Sequence, residues 1–165
     1  MSIIQLLVKE MEQEMATTRK MLALVLNDQF NWKPHEKSMT LKQLSVHLAE
    51  IPGWAEMIIK NEVLDFEAGG YMPTPVDTSR DLKALLEKSY ASGITTLRQS
   101  TDDILEKRWV MKSGKTILLD LSKYEAIRHA FSQTTHHRAQ LGVYLRLLNI
   151  AIPGSYGPSA DDATF

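Results

Sequence analysis

The fold of this chain is decided by one stretch, Glu125-Ala-Ile-Arg-His-Ala-Phe-Ser-Gln-Thr-Thr-His-His-Arg-Ala-Gln-Leu-Gly-Val-Tyr144. It holds three of the five histidines, set among apolar residues. On a helical wheel, one stripe of residues lies within roughly 40° of His137. Its members are Ala126, Ala130, Gln133, Leu141, Tyr144 and Leu148. The stripe predicts a helix over residues 121–149, with His137 facing the core of a helix bundle.

The other two histidines of the stretch, His129 and His136, lie about 80–100° from His137, at the edge of the stripe. The distance from His129 to His137 is roughly 12 Å along a helix axis, so these two cannot bind one ion. Gln133 precedes His137 by four residues, and side chains at that spacing can reach one point. His136, with Arg138 on the opposite flank, is instead a candidate for a subunit contact.

A second inward-facing histidine, His47, is predicted upstream. Thr40-Leu-Lys-Gln43 fits a capping box, so a helix begins at this point. Four apolar residues of that helix lie within roughly 60° of His47 on the wheel: Leu44, Ile51, Trp54 and Ile58. His47 is therefore expected on the buried face. Pro52 removes a backbone hydrogen bond and predicts a kink or a break.

Two further helices complete the predicted fold. Residues 3–28 have apolar side chains spaced by three and four, and Asp77-Thr78-Ser79 offers N-caps for a helix that continues to Leu97. Helices of this length, with long and short connections mixed, predict an all-α four-helix bundle in a single domain over residues 1–165. The β-branched runs that a doubly wound sheet needs are missing.

Three connections carry turn signals. Residues 61–77 contain a cluster of Gly and Pro and predict a loop that can cross the bundle or cover a site. Residues 102–120 fit a small hairpin or an extended connector, with Asp120 as the cap of the last helix. Residues 151–165 form a turn-rich tail, and its Tyr156 is expected to pack back on the body.

Composition excludes several classes of function. The formal charge of −1 and the lack of basic runs argue against nucleic-acid binding. Charges interrupt every apolar run well before the roughly 18 residues that a membrane span needs. With no cysteine, any metal must be bound by His, carboxylate, amide or water. We expect a cytoplasmic protein with neither membrane nor nucleic-acid partners.

The candidate site combines His47, Gln133 and His137. Bundle interiors build metal sites from inward side chains on facing helices, and imidazole suits zinc, nickel, iron or copper. An amide is a weaker ligand than the three strong ligands that a catalytic zinc usually keeps. Glu50, one turn after His47, is either a group that orients the site, a general base, or part of a solvated helix face. Hydrogen-bonded core histidines remain the alternative.

Two segments carry a resemblance to a known family. Residues 31–54, from Asn31-Trp-Lys-Pro-His to His47-Leu-Ala-Glu-Ile-Pro-Gly-Trp54, resemble the first half of DinB-like proteins, the DinB/YfiT superfamily. The segment His129-Ala-Phe-Ser-Gln-Thr-Thr-His-His-Arg-Ala-Gln-Leu141 resembles its second motif, a histidine-rich helix. The two motifs come in the family's order, and the four-helix interpretation covers nearly the whole chain.

This resemblance implies an up-up-down-down bundle with a long crossover, a homodimer, and a divalent metal bound by three histidines. Carried over, two of these ligands fall on His47 and His137, and the third falls on Gln133, which departs from the family pattern. The resemblance implies a zinc- or nickel-binding enzyme, either a thiol-dependent transferase or a hydrolase. The alternative is a non-catalytic, stress-related bundle that binds a small molecule or has an empty pocket.

Overall fold

The computed structural model describes residues 1–163, and within that range the chain forms five α-helices and one three-stranded sheet. The helices are α1 (Ile3–Leu22), α2 (Leu41–Glu50), α3 (Trp54–Lys60), α4 (Ser79–Gln99) and α5 (Lys123–Leu147), and the strands are β1 (Val63–Asp65), β2 (Arg108–Ser113) and β3 (Thr116–Ser122). The apolar faces of the helices meet in one core, so the prediction of a mainly helical fold is confirmed. Among the described residues no helix is both long and apolar enough to cross a membrane.

The predicted second helix is divided at Pro52. Thr40 and Gln43 form the expected capping box at the start of α2. The chain then makes a 3-10 turn over Ile51–Gly53 before α3 begins. The break follows from the missing N–H of proline and its ring, which clashes with the preceding turn. It leaves His47 in the last turn of α2, next to the site.

The first helix is shorter than the sequence predicts, because it ends at Leu22 and not at residue 28. Val25 is nevertheless fully buried, which explains its place in the apolar pattern. Ser79, at the start of α4, bonds to this segment from far along the chain. Its hydroxyl donates to the Val25 carbonyl (2.6 Å), and its amide donates to Asn27 Oδ1 (2.5 Å). These long-range bonds replace the last turn of α1.

The sheet corrects the all-α prediction. The hairpin expected within residues 102–120 is present as β2 and β3, and β1 adds a parallel strand on the other edge of β2. Asp120 does not cap α5 as predicted. It lies in β3 and forms a two-pronged ion pair with Arg108, and Ser122 forms the cap together with Glu125. β1 is only three residues long and lies in the segment that the sequence predicts as a loop.

Arg138 is buried inside the molecule, so it is not available for the subunit contact that the sequence offers as one candidate role. Its side chain is 2% exposed and pairs with the Glu14 carboxylate of α1 (2.6 Å). Arg138 also donates to the hydroxyl of Tyr156 at 2.7 Å, so the prediction that Tyr156 packs back on the body is confirmed. The predicted tail extends to residue 165, and its last two residues lie outside the described range.

Candidate metal centre

Two histidines from different helices lie next to each other in the bundle. His47 of α2 and His137 of α5 have ring centroids 4.6 Å apart, with the rings nearly perpendicular at 82°. The wheel argument predicts this meeting, because each residue lies on the stripe that packs its helix into the bundle. His137 is buried at 8% exposure, whereas His47 is half-buried and also lines the surface of the cleft.

His137 is held in a defined orientation by its own helix. Its Nδ1 lies 2.9 Å from Oε1 of Gln140, one turn further along α5. An amide oxygen only accepts, so Nδ1 carries the proton and Nε2 keeps its lone pair. A hydrogen bond of this kind orients the imidazole rings that bind metals in proteins. Burial lowers the pKa of His137, an effect that the bond to Gln140 opposes and the neighbouring His136 reinforces.

His47 has a similar electrostatic setting. Burial lowers the pKa of His47 first, and the nearby His137 lowers it further, while the charge of Glu50 acts in the opposite direction. The His47 ring also makes an edge-to-face contact with Trp54, at 5.6 Å between centroids. Both imidazoles therefore favour the neutral form, which is the form that binds a metal ion.

Gln133 does not join the pair. Its amide nitrogen lies 3.4 Å from Nε2 of His129, one turn back along α5. Within residues 1–163 no three His, Asp or Glu side chains lie close enough to hold a metal ion together. The structure thus brings together His47 and His137 but leaves the third predicted ligand turned away. Two neutral imidazoles fit a divalent ion that keeps its other positions for water or a ligand; they do not form a closed site.

Glu50 is buried, at 9% exposure, which makes the solvated-face alternative for this residue wrong. Its carboxylate accepts three hydrogen bonds from the segment between β1 and α4. The hydroxyl of Tyr71 donates at 2.6 Å, and Thr74 donates through its amide at 2.7 Å and its hydroxyl at 2.6 Å. Both oxygens are thus occupied, so Glu50 anchors the segment that contains Tyr71 and Thr74 and is not a free base in this conformation.

The sequence predicts that residues 61–77 can cover a site, but it does not single out Tyr71 and Thr74. One signal in the sequence could have pointed to them. Glu50 follows His47 by one turn, and the hydroxyl residues Tyr71 and Thr74 stand beside the Gly and Pro residues of the segment. A loop has no regular periodicity from which the direction of a side chain can be predicted, so this signal alone could not place the two side chains.

Two cavities open beside His47. The first has a volume of about 260 Å³ and an almost entirely apolar lining, and the second has about 430 Å³. The first, called the inner chamber here, is lined by His47, Glu50, Trp54, Met57, Leu64, Phe66, Gly70, Tyr71 and Met72. The second, called the outer chamber, is lined by Met39, Lys42, Gln43, Val46, His47, Tyr71 and Pro73. Such a cleft can take a small apolar molecule next to the two imidazoles.

Comparison with known proteins supports one family. The model of the DinB family matches residues 1–164, and no curated protein matches the sequence. A DinB-like protein from Bacillus subtilis, YjoA, has a TM-score of 0.70 at 19% sequence identity, over 90% of this chain and 96% of that chain. A likeness at such identity shows the fold alone.

Two other structural neighbours are described by an activity. YfiT from Bacillus subtilis, described as a probable metal-dependent hydrolase with an unusual four-helix-bundle topology, has a TM-score of 0.64 at 14% identity, over 90% of this chain and 89% of that chain. A mycothiol-dependent maleylpyruvate isomerase has a TM-score of 0.61 at 15% identity, over 84% of this chain and 60% of that chain. This chain is thus similar in fold to proteins with different reactions.

Proposed function

Because the chain belongs to the DinB family, we propose that it is a metal-dependent enzyme in which His47 and His137 bind a divalent ion, zinc or nickel. The observation that carries the proposal is the pair of adjacent imidazoles at the edge of an apolar cleft. The proposed reaction is hydrolysis or the transfer of a group to a small thiol. The description of YfiT as metal-dependent and of the isomerase as mycothiol-dependent supports this range of reactions.

The chain's own residues have distinct proposed roles. His47 and His137 are the ligands, and Gln140 keeps Nε2 of His137 free by accepting a hydrogen bond from Nδ1. Gln133 is a weak third ligand, or holds a water on the ion, after its side chain turns away from His129. A divalent ion at this site would lower the pKa of water or of a thiol, and would therefore provide a nucleophile at neutral pH. Trp54 and Met57 provide the apolar wall against which a substrate packs.

A second candidate is a non-catalytic, stress-related bundle that binds a small molecule. The orientation of Gln133 favours it, since the amide contacts His129 and leaves the histidine pair without a third protein ligand. The mainly apolar lining of both chambers suits small-molecule binding without any reaction. This candidate requires no metal, which separates it from the first in a direct measurement.

Metal analysis of protein purified without an affinity tag tests the proposal. We expect one zinc or nickel ion per chain or a clear substoichiometric fraction, and loss of this metal in His137→Ala. His35→Ala is the matched control, because His35 is exposed in a loop and its ring accepts a hydrogen bond from the nearby Lys37 amide. Metal that survives unchanged in His137→Ala would exclude His137 as a ligand and favour the second candidate.

Three further features remain proposals: the first two rest on the family resemblance, and the third rests on the lack of cysteine and of long apolar runs in the sequence. We propose that the helices run up-up-down-down with residues 61–77 in the long crossover, that the protein is a homodimer, and that it acts in the cytoplasm. Sedimentation of the purified chain tests the second of these, and a monomer over the micromolar range would contradict it.

A further inference from the structure

The inner and outer chambers meet at the same two side chains. His47 and Tyr71 are the residues that line both, one from α2 and one from the segment between β1 and α4. Every other lining residue belongs to one chamber alone. Tyr71 thus lies between the two spaces, beside His47.

Tyr71 is fixed in this position by contacts on several sides. Its hydroxyl donates to Glu50, which is itself buried and also binds Thr74. Its ring meets Phe66 edge to face, with centroids 6.5 Å apart. Burial raises the pKa of the Tyr71 phenol, and the bond to Glu50 raises it further, so the hydroxyl stays a donor at neutral pH. The side chain is therefore held from both ends and does not swing freely into either chamber.

The turn before Tyr71 has no spare room. The amide of Gly70 donates to the Asp65 carbonyl at 2.9 Å, and a Cβ at Gly70 would lie 2.7 Å from that same oxygen. The chain therefore turns back tightly against the end of β1 just before Tyr71.

We propose that Tyr71 is a specificity-determining residue, a partition that limits the inner chamber to small uncharged aromatic ligands of bicyclic size. A cavity of about 150 Å³ lined by apolar residues holds benzene, and the inner chamber at about 260 Å³ has room for a bicyclic ring system. Larger ligands reach only the outer chamber. This inference rests on the proposed function in one respect, that the cleft beside His47 is the ligand site.

The two chambers have natural reporters, because Met57 lines the inner chamber and Met39 lines the outer chamber. The experiment uses the full-length chain with ¹³C-labelled methionine methyl groups and two probes, 2-naphthol and 1-pyrenemethanol. In the wild-type protein we expect 2-naphthol to shift the Met57 methyl signal and 1-pyrenemethanol to leave it unshifted. In Tyr71→Ala we expect 1-pyrenemethanol to shift Met57 and to bind at least about tenfold more tightly, a difference of roughly 1.4 kcal/mol.

Tyr71→Phe is the matched control, since it keeps the ring and removes only the bond to Glu50. It should retain the size limit, and Tyr71→Leu provides a second opened variant if Tyr71→Ala does not fold. The proposal is overturned if 1-pyrenemethanol shifts Met57 in the wild-type protein, if 2-naphthol does not, or if neither opened variant admits the larger probe. The titrations are done without metal, so their outcome is independent of the metal analysis that tests the proposed function.

Discussion

At the scale of single residues, Gln133 decides how strongly the site can bind a metal. The residue has the correct spacing from His137, but its amide contacts His129. We expect Gln133→His to raise zinc affinity by at least about tenfold, because a third imidazole adds a strong ligand on the same helix face. Competition with a chromophoric zinc chelator measures the change.

The same variant tests the geometry of α5. His129→Ala is the control: it removes the contact that turns Gln133 away, so it should raise zinc affinity by less than Gln133→His does. Unchanged zinc affinity in Gln133→His would mean that positions 133 and 137 do not converge on one ion with His47. The metal content proposed for the wild-type protein would then depend on two histidines only.

The histidine pair could be predicted from the sequence, because an amphipathic helix converts residue number into direction. His47 and His137 each lie on an apolar stripe, and the packing of α2 against α5 brings them together. The direction of the Gln133 amide and the burial of Glu50 could not be predicted in this way. The first is a choice among rotamers, and the second depends on Tyr71 and Thr74, which come from a loop more than twenty residues away.

At the scale of elements, features that depend on neighbouring residues could be predicted from the sequence, whereas features that involve long-range hydrogen bonds could not. The capping box at Thr40 and the break at Pro52 depend on neighbouring residues, and both are present as predicted. The chain after the end of α1 at Leu22 is instead bonded to Ser79, which contacts Val25 and Asn27 from far along the sequence. No pattern within residues 3–28 contains that information.

Gly93 in α4 shows how packing can reverse a helix propensity. Propensity alone predicts that Gly93→Ala stabilises the protein by about 1 kcal/mol. In the fold, a Cβ at position 93 would overlap the backbone carbonyl of Pro52. Because a backbone atom cannot turn aside like a side chain, we expect a net loss of about 1–3 kcal/mol in the free energy of unfolding. Urea denaturation monitored by circular dichroism measures it.

Gly142 in α5 provides the matched control for Gly93. A Cβ at position 142 would meet only flexible side chains, with the methyl group of Met21 nearest at 3.2 Å. Gly142→Ala should therefore be neutral or stabilising by up to about 1 kcal/mol. Equal effects of the two substitutions would contradict the close approach of α4 to the turn at Pro52.

The start of α1 depends on a carboxylate from a distant segment. Asp102 accepts hydrogen bonds from the amides of Ile3 and Ile4, both at 2.9 Å. The Ile4 amide first, and the Ile3 amide next, hold the pKa of Asp102 below its ordinary value of 3.8. A carboxyl whose pKa is lowered by folding stabilises the fold above its unfolded-state pKa, and this contribution is lost as the pH falls through the folded-state pKa.

We therefore expect Asp102→Asn to lower the urea midpoint at pH 7 and to have a smaller effect below pH 3.8. The measurement is urea unfolding of both proteins at pH 7, 5 and 3, with the difference between them compared at each pH. Asp103, which bonds to Thr101 and not to α1, is the matched control position. A difference that does not change with pH would show that the charge of Asp102 does not contribute.

At the scale of the whole molecule, Arg138 joins three parts of the chain. From α5 it donates to the Glu14 carbonyl and the Thr18 hydroxyl of α1, at 3.0 and 3.2 Å. It also binds the Tyr156 hydroxyl, which in turn donates to the Glu14 carboxylate at 2.7 Å. The sequence placed Arg138 at the flank of a stripe. It could not show that α1 and the tail cover that flank.

Loss of this arginine should destabilise the whole fold. Arg138→Ala leaves a largely buried Glu14 carboxylate without its cation, and breaking a buried pair from one side costs about 3–5 kcal/mol. Because the side chain of Glu14 remains 16% exposed, we expect a value near the lower end of that range. Chemical denaturation measures this loss of stability. The size limit that Tyr71 sets on ligands should be unchanged in Arg138→Ala, since Arg138 lines neither chamber.

Arg146 offers the matched control, because it lies two turns further along α5 and also binds the tail. It pairs with Asp161, but its side chain is 44% exposed, so water replaces the lost contact in Arg146→Ala. That variant should therefore unfold close to the wild-type midpoint. If the two substitutions have the same effect, attachment of the tail is what matters. If only Arg138→Ala destabilises, the buried bond between α5 and α1 holds the bundle together, and the tail follows it.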